Sequence, residues 1–168
     1  YVNLVNSKGG VEGYKIKAVE IDHEYKVPPS VEAYERQKKD GAVLIALYGT
    51  PHTQALTQKL TEDKIPGTSP GFGTAAAANG EKYPYIFPIA ASYWSQMTAS
   101  VKFAKDNLGG NLQDKKVAYL FYDNPAGKEP LPILEDLAKA EGFELRTFAV
   151  PAPGLVMGAQ VLDITGRF

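Results

Sequence analysis

The chain has 168 residues, no cysteine, two histidines and a formal net charge of −1. Nucleic-acid-binding domains normally carry a basic excess, whereas disulfide scaffolds, zinc–thiolate centres and iron–sulfur centres need cysteine. The composition therefore argues against all of these classes. Apolar residues make up 44% of the chain, which is ordinary for a globular protein. No stretch reaches the roughly 18 apolar residues of a membrane-spanning helix.

The first residues have the pattern of a helix that is ending. Residues 1–6 (YVNLVN) read as its last turns, and residues 7–10 (SKGG) read as its stop. No initiator methionine precedes them. We therefore expect the sequence to be the middle part of a longer protein.

Strands and helices are predicted to alternate in the first third of the chain. Residues 14–22 alternate polar and apolar side chains, which predicts a strand. Ser30 follows two prolines and is the expected N-cap of a short helix over residues 31–39. Residues 42–48 (AVLIALY) form the longest apolar run and predict a buried parallel strand. A helix that Thr50 opens is then expected to continue to about residue 63.

The same alternation continues to the end of the chain. The predicted elements are a weak strand at 64–69, a glycine-rich loop at 70–84 with a helical turn at 74–78, a strand at 85–89, a helix from Trp94 to Gly109, a strand at 117–122, a helix around Ile133 that Gly142 ends, a strand at 143–150 and a last helix from Leu155. This order predicts an α/β fold with a mainly parallel sheet, right-handed crossovers and Rossmann-like αβα layers.

Two letter patterns resemble catalytic motifs and do not fit their chemistry. Residues 67–71 (GTSPG) match the nucleophile elbow of hydrolases, but the residue after Ser69 is proline, which has no N–H for an oxyanion hole. Residues 71–76 (GFGTAA) match a dinucleotide fingerprint, but they lie in mid-chain without the required acidic residue downstream. His23 and His52 are far apart in sequence. We therefore predict no catalytic residue, no metal site and no cofactor.

The dipeptide Thr50-Pro51 is the strongest candidate for a binding site. It directly follows the most apolar run, and ligands of open α/β sheets bind beyond the carboxyl ends of strands. A helix N-terminus at this place offers N–H groups to an anion. The hydroxyl of Thr50 and the N–H groups near His52 and Thr53 could hold a carboxylate, and a capped helix that binds nothing is an equal alternative.

Two further loops follow predicted strands. The first is glycine-rich and contributes Gly71, Phe72, Gly73 and Thr74 to the predicted site. The second, residues 123–128, contributes Asn124 and Ala126. An aromatic cluster at residues 83–94 follows the glycine-rich loop, and one or two of its rings could wall an apolar ligand pocket.

Nearly the whole chain resembles the substrate-binding proteins of branched-chain amino-acid-type ABC transporters, which have the type I periplasmic binding fold. The segments that carry the resemblance are residues 1–16, 49–53 (GTPHT), 65–74, 83–88 (YPYIFP) and 117–123 (VAYLFYD). No one of these segments is specific, but their order along the chain is convincing.

The resemblance implies a non-enzymatic periplasmic receptor with two lobes that close on a small ligand and deliver it to a membrane permease. By position, residues 1–88 would belong to lobe one and residues 89–168 to lobe two. Thr50 and residues 71–74 would hold the carboxylate of the ligand. Residues 124–127 (NPAG) lack the tyrosine that is common in the second-lobe loop of the family, which favours an aromatic or other organic carboxylate over an α-amino acid.

Alternative readings are a sensory ligand-binding domain with the same fold and, less favoured, an α/β hydrolase-type enzyme. No nucleic-acid partner is expected. A piece of a two-lobed protein would expose apolar strand edges such as residues 42–48, and such edges favour pairing with a second copy of the chain.

Overall fold

A computed structural model describes residues 1–70, 74–151, 154 and 156–168. The chain forms two compact units, Tyr1–Ala42 and Val43–Phe168. Their elements, in chain order, are α1 Val2–Ser7, α2 Val27–Lys39, β1 Ile45–Ala46, α3 Thr50–Asp63, β2 Gly67–Ser69, a 3₁₀ helix Ala75–Ala78, β3 Ile86–Pro88, α4 Tyr93–Asn107, β4 Lys116–Tyr122, α5 Pro125–Lys128, α6 Leu131–Glu141, β5 Glu144–Val150 and α7 Gly158–Arg167.

Side chains hold the first unit together more than strand pairing does. The side chain of Asn6 donates to the carbonyl of Ile16 at 2.7 Å and accepts from its N–H at 2.8 Å. Gln37, in α2, donates to the carbonyl of Val19 at 2.9 Å. The predicted terminal helix is present as α1.

The strand predicted over residues 14–22 is wrong. The only pairing nearby, among the described residues, is an isolated bridge between Val11 and Tyr14. Residues 14–20 are exposed throughout, so neither set of alternating side chains is buried. A strand needs a neighbour for its backbone groups, and here the side chains of Asn6 and Gln37 take that place in part.

The N-cap predicted at Ser30 is also wrong. Helix α2 begins four residues earlier than predicted, at Val27, and Lys26 is its N-cap. Pro28 and Pro29 lie in the first turn, where a missing N–H costs nothing because no carbonyl of the helix could accept it. The two prolines therefore start this helix instead of stopping the chain before it.

The first sheet of the second unit has the strand order β1-β2-β3, with parallel pairs throughout. Its strands have only two or three residues each. Helix α3 packs against it, and Leu60 lies so close to Gly67 that a Cβ atom on Gly67 would stand 2.6 Å from the Cδ1 atom of Leu60. Glycine at this position lets the helix approach the sheet.

The prediction of a buried strand over residues 42–48 is correct only at its centre. Strand β1 comprises Ile45–Ala46, and Ile45 and Leu47 are buried. Val43, Leu44 and Tyr48 are 83%, 54% and 60% exposed. Strand β1 is an edge strand with β2 as its one partner among the described residues, so an apolar run there cannot be covered on all sides.

The second sheet pairs β4 with β5 in parallel over seven residues. Opposed residues share a face, and faces alternate along each strand. Val117 and Leu145 face helices α4 and α6 in a cluster around Val101, Leu112, Leu134 and Phe143. On the other face Phe148 and Arg146 contact the ring of Phe168, just after α7. Helices α4 and α6 cover one face, and α7 lies beside β5 on the other, where Leu120 and Tyr122 of β4 remain 38% and 50% exposed. The predicted α/β fold with parallel strands in αβα layers is confirmed.

The remaining elements agree with the sequence-based expectations with small shifts. The helical turn at 74–78 is the 3₁₀ helix, and the last helix begins at Gly158 instead of Leu155, which lies outside the described residues. Within the described ranges, no helix combines the length and the apolar character that crossing a membrane requires.

Candidate functional site

Helix α3 begins where the first anion site was predicted. Its N-cap is Gly49 with φ of 98°, not Thr50, because this backbone conformation suits glycine and strains other residues. Thr50, His52 and Thr53 are all 0% exposed. Both the N–H and the hydroxyl of Thr53 donate to the carbonyl of Gly49 at 3.0 Å, so these groups stabilise the helix start itself.

The glycine-rich loop at residues 70–84 is described except for residues 71–73. Gly71, Phe72 and Gly73 lie outside the described residues. Thr74 caps the 3₁₀ helix, since its Oγ1 atom accepts from the N–H of Ala76 at 3.2 Å. Ser69 is 1% exposed, and its hydroxyl has no hydrogen-bond partner among the described residues. A nucleophilic serine needs a base within hydrogen-bond reach and access to its substrate, so Ser69 is not arranged for that chemistry.

The predicted loop at residues 123–128 contains the short helix α5. The Oδ1 atom of Asn124 caps this helix by accepting from the N–H of Gly127 at 2.9 Å. The carbonyl of Gly127 accepts a hydrogen bond from the hydroxyl of Tyr119 at 2.9 Å. A Cβ atom on Gly127 would stand 2.1 Å from the carbonyl oxygen of Tyr122, so only glycine allows this tight return to the strand.

Asn124 and Ala126 lie together in an open depression at the carboxyl end of β4. Its volume is about 290 Å³. We call it the aromatic depression, because most of its lining is aromatic or apolar: Tyr93, Tyr119, Leu120, Phe121, Tyr122, Asn124, Ala126, Gly127 and Pro130. Its position follows the rule that α/β proteins bind ligands beyond the carboxyl ends of their strands.

Tyr119 is a neutral donor in this depression. Burial, followed by the influence of the neighbouring Tyr93, raises the pKa of the Tyr119 phenol above its ordinary value. Its ring stacks on that of Phe121, with a centroid distance of 5.2 Å. The hydroxyl therefore keeps its proton and its hydrogen bond to Gly127.

A carboxylate that the sequence did not single out connects these loops. The Oε1 atom of Glu129 accepts from the N–H of Ala75 at 2.6 Å, and its Oε2 atom accepts from the Nε2 atom of Gln54 at 2.7 Å. The carbonyl of Glu129 accepts from the indole N–H of Trp94 at 2.8 Å. No local pattern predicts these contacts, because the partners lie 35 to 75 positions away.

The structure thus groups the predicted site residues unevenly. Asn124 and Ala126 share the aromatic depression. Thr74 stands beside Ala75, which Glu129 links to the corner after α5. Thr50, His52 and Thr53 lie at the buried start of α3. Within the part of the chain that the structure describes, no three acidic or histidine side chains come together as a metal would require.

Comparison with known proteins gives the family of the chain. A family model described as periplasmic binding protein matches residues 1–165. The chain belongs to the periplasmic binding protein family. The predicted resemblance is therefore confirmed at the level of family and fold. A search of curated protein sequences finds no match.

Solved structures of periplasmic binding proteins and related transporter proteins share this fold. A protein from the Pseudomonas fluorescens group, named an ABC transporter permease, is 34% identical with a TM-score of 0.81. A fatty acid ABC transporter substrate-binding protein from Thermomonospora curvata is 24% identical with a TM-score of 0.80. A branched-chain amino acid ABC transporter protein from Thermus thermophilus with bound valine is 19% identical with a TM-score of 0.84.

Each of these three comparisons covers 98% of this chain. The chain spans 41% of the first two proteins and 43% of the third.

Proposed function

We propose that this chain is part of a periplasmic solute-binding protein that captures a small organic carboxylate and delivers it to an ABC-transporter permease. The observation that carries this proposal is the aromatic depression, which lies at the end of β4 in a chain of the periplasmic binding protein family. In this reading the protein is a receptor and no enzyme. The burial of Ser69 and the proline after it support that reading.

The lining of the depression favours a ligand with an apolar or aromatic body. Small-molecule sites combine apolar walls with a few polar groups that fix the orientation of the ligand. The rings of Tyr93, Tyr119 and Phe121 supply such walls, and aromatic pairs gain energy from offset or edge-to-face contact. No charged side chain is among its lining residues in the described parts of the chain. An aromatic carboxylate fits this lining better than an α-amino acid, whose ammonium group would need an acidic partner.

Asn124 is the best-placed donor for the carboxylate end. Its Oδ1 atom accepts from the N–H of Gly127, which holds the side-chain amide in place and leaves its Nδ2 atom outside this hydrogen bond. An amide nitrogen donates two hydrogen bonds. Asn124 also lines the aromatic depression, so a ligand there meets a preoriented donor.

Thr74 and residues 71–73 remain predicted ligand contacts from the glycine-rich loop. Thr50, His52 and Thr53 remain predicted contacts as well. Because these three side chains are fully buried, we expect their substitution to reduce stability as well as binding. A division into parts of two lobes, residues 1–88 and 89–168, is consistent with the two separate sheets of the second unit.

Thermal unfolding with three probe ligands tests the proposal. Benzoate represents an aromatic carboxylate, octanoate an aliphatic one and valine an α-amino acid. A ligand that binds the folded state adds about 2.7 kcal/mol at a concentration of 100 times its Kd. We expect benzoate to raise Tm most and valine least. Stabilisation by valine alone would contradict the proposed ligand class.

A matched pair of substitutions tests the role of Asn124. Asn124→Asp keeps the oxygen that caps α5 and replaces the donor by a second acceptor. We expect benzoate affinity to fall at least about tenfold, since a hydrogen bond to a charged group contributes about 1.5–3 kcal/mol. Asn79→Asp is the control, because the Oδ1 atom of Asn79 caps an exposed turn by accepting from the N–H of Lys82 at 2.9 Å. Equal affinity in both variants would remove Asn124 from the site.

A second copy of the chain is the proposed partner of the exposed edge at β1. The apolar side chains of Val43, Leu44 and Tyr48 support this, because they are largely exposed beside an edge strand. Light scattering should show a dimer that Val43→Lys dissociates. A monodisperse monomer at about 100 µM, which is on the order of the Kd of a weak dimer, would contradict it.

A further inference from the structure

Glu129 brings together two groups of predicted ligand residues. Gln54 and Ala75, which follow strands of the first sheet, donate to its two carboxylate oxygens. Glu129 itself lies between α5 and α6, in the corner that follows β4 of the second sheet. One side chain therefore joins segments from two sheets that have no strand pairing with each other in the described residues.

A further hydrogen bond holds the backbone of the corner at Glu129. Its carbonyl accepts from the indole N–H of Trp94, in the first turn of α4. The next residue, Pro130, is buried and lines the aromatic depression. A change in the position of Glu129 must therefore also move the wall of that depression.

The bridge is chemically stronger than an ordinary surface contact. A carboxylate is the acceptor in both hydrogen bonds, and charge-assisted bonds are shorter and stronger than neutral ones. Ala75 immediately follows Thr74, a predicted ligand contact, so the bond to its N–H holds that contact in place. The same side chain holds Gln54, on the first turns of α3, where Thr50 begins the helix.

We propose that Glu129 is a positioning residue of the ligand site. Its carboxylate holds the Thr74–Ala75 segment and the start of α3 against the corner formed by Asn124, Ala126 and Pro130, and thereby slows the release of a bound ligand. The role in release rests on the proposed function, whereas the bridge itself exists in the protein without ligand.

Hydrogen exchange of the ligand-free protein tests the bridge. In Glu129→Ala, the amide of Ala75 should exchange about tenfold faster or more, as the loss of a hydrogen bond to a charged acceptor requires. Glu62→Ala is the matched control, because Glu62 accepts from Gln58 at 2.9 Å within α3 and makes no hydrogen bond to another element among the described residues. Equal exchange at Ala75 in both variants overturns the bridge.

Two milder variants keep the test valid if Glu129→Ala folds poorly. Glu129→Gln keeps the size of the side chain but has one oxygen for two donors. We therefore expect the Ala75 amide to exchange faster than in the wild type and slower than in Glu129→Ala. Gln54→Ala removes an exposed partner. If the bridge acts as a unit, the double variant Gln54→Ala/Glu129→Gln should exchange no faster at Ala75 than Glu129→Gln alone. Additive increases overturn the shared bridge.

The rate of ligand release tests the role in the site. Trp94 is the only tryptophan of the chain and bonds to the corner at Glu129, so its fluorescence can follow binding there. We expect Glu129→Ala to release benzoate about tenfold faster than the wild type, with no change in Glu62→Ala. Unchanged release together with faster exchange at Ala75 overturns the role in retention.

Failure of the proposed function gives a different result. A wild-type protein that binds neither benzoate, octanoate nor valine overturns that function and the role of Glu129 in release. The exchange rate at Ala75 still decides whether the bridge between the two sheets exists.

Discussion

The two sheets of the second unit are built on different principles. The second sheet pairs two seven-residue strands over a wholly apolar cluster that includes Val101, Leu112, Leu134 and Phe143. The first sheet has strands of two or three residues, and the helix against it buries polar side chains. One region is therefore stabilised mainly by apolar burial, and the other presents polar groups next to the predicted site.

Helix α3 satisfies three of its threonine hydroxyls with its own backbone. Thr53 donates to the carbonyl of Gly49, and Thr57 donates to the carbonyl of Thr53 at 2.6 Å. Thr61 continues the series by donating to Thr57 at 3.1 Å. Such bonds to the carbonyl four residues earlier avoid the cost of a buried unpaired hydroxyl. The comparison teaches that the hydroxyls of Thr53, Thr57 and Thr61 are compatible with burial, because carbonyls of the same helix accept their hydrogen bonds.

The largest expected effect is in the apolar cluster of the second sheet. Leu134→Ala should lower the free energy of unfolding by about 2–5 kcal/mol, because it leaves a cavity among well-packed side chains. Leu162→Ala, at a position that is 72% exposed on α7, should change it by less than about 0.5 kcal/mol. Urea unfolding measures both, and similar small losses would show that the second sheet is not the better packed region.

The next effect tests the contact between α3 and the first sheet. Gly67→Ala places a methyl group 2.6 Å from the Cδ1 atom of Leu60, so we expect a loss of about 1–3 kcal/mol by overpacking. Gly80→Ala is the control, because a Cβ atom there meets nothing within 4 Å. An unchanged Tm in Gly67→Ala would mean that α3 shifts at little cost in free energy and that its packing against the first sheet is loose.

A smaller effect is expected at the aromatic depression. Tyr119→Phe removes the hydroxyl that donates to Gly127 and should cost about 0.5–1.5 kcal/mol. Tyr122→Phe is the control, since its ring also lines the depression. Equal losses in chemical unfolding would argue against a specific role for the Tyr119 hydroxyl.

Tyr119→Phe also tests how the contribution of Tyr119 to stability depends on pH. Burial raises the folded-state pKa of Tyr119 above its unfolded value near 10, so the native state holds this proton more tightly. The associated stability is fully present below that unfolded pKa and is lost as pH rises through the folded pKa. The difference in stability between the wild type and Tyr119→Phe should therefore shrink above about pH 10. A difference that is constant with pH would contradict this.

The smallest effect concerns ion pairs around the second sheet. Lys105 and Glu141 join α4 to α6 at 2.7 Å and are half-buried. Lys105→Met should cost up to about 1 kcal/mol, while Lys102→Met, which breaks an exposed pair within α4 at 2.6 Å, should cost less than about 0.5 kcal/mol. Methionine preserves the apolar stem in both cases. A larger loss for Lys102→Met would reverse the proposed order.

Much of the fold could be predicted from local signals. The helical stripe from Trp94, the stop at Gly142 and the apolar strand at 117–122 correspond to α4, the C-cap of α6 and β4. Prediction failed where an element depends on a distant neighbour. Residues 14–22 have the alternation of a strand, but no strand of the described chain pairs with them.

Only part of the candidate site could be predicted from the sequence. Asn124 and Ala126 follow a strand, and a general rule about strand ends singled out their loop. Glu129 carried no such signal, because its partners Gln54, Ala75 and Trp94 are close to it only after folding.

The sequence by itself determined the α/β class and the parallel pairing, because the alternation of strands and helices depends on periodicity, caps and turns that act over a few residues. The family was indicated separately, by the resemblance of several segments in their order along the chain. Only the tertiary structure decided which side chains meet. In the folded chain Thr50, His52 and Thr53 are buried, and an aromatic depression lies beside Asn124. The carboxylate of Glu129, which follows the second sheet, accepts from the N–H of Ala75, which follows the first. The physical reason is that burial and hydrogen-bond partners depend on packing between segments far apart in the chain, which no local pattern records.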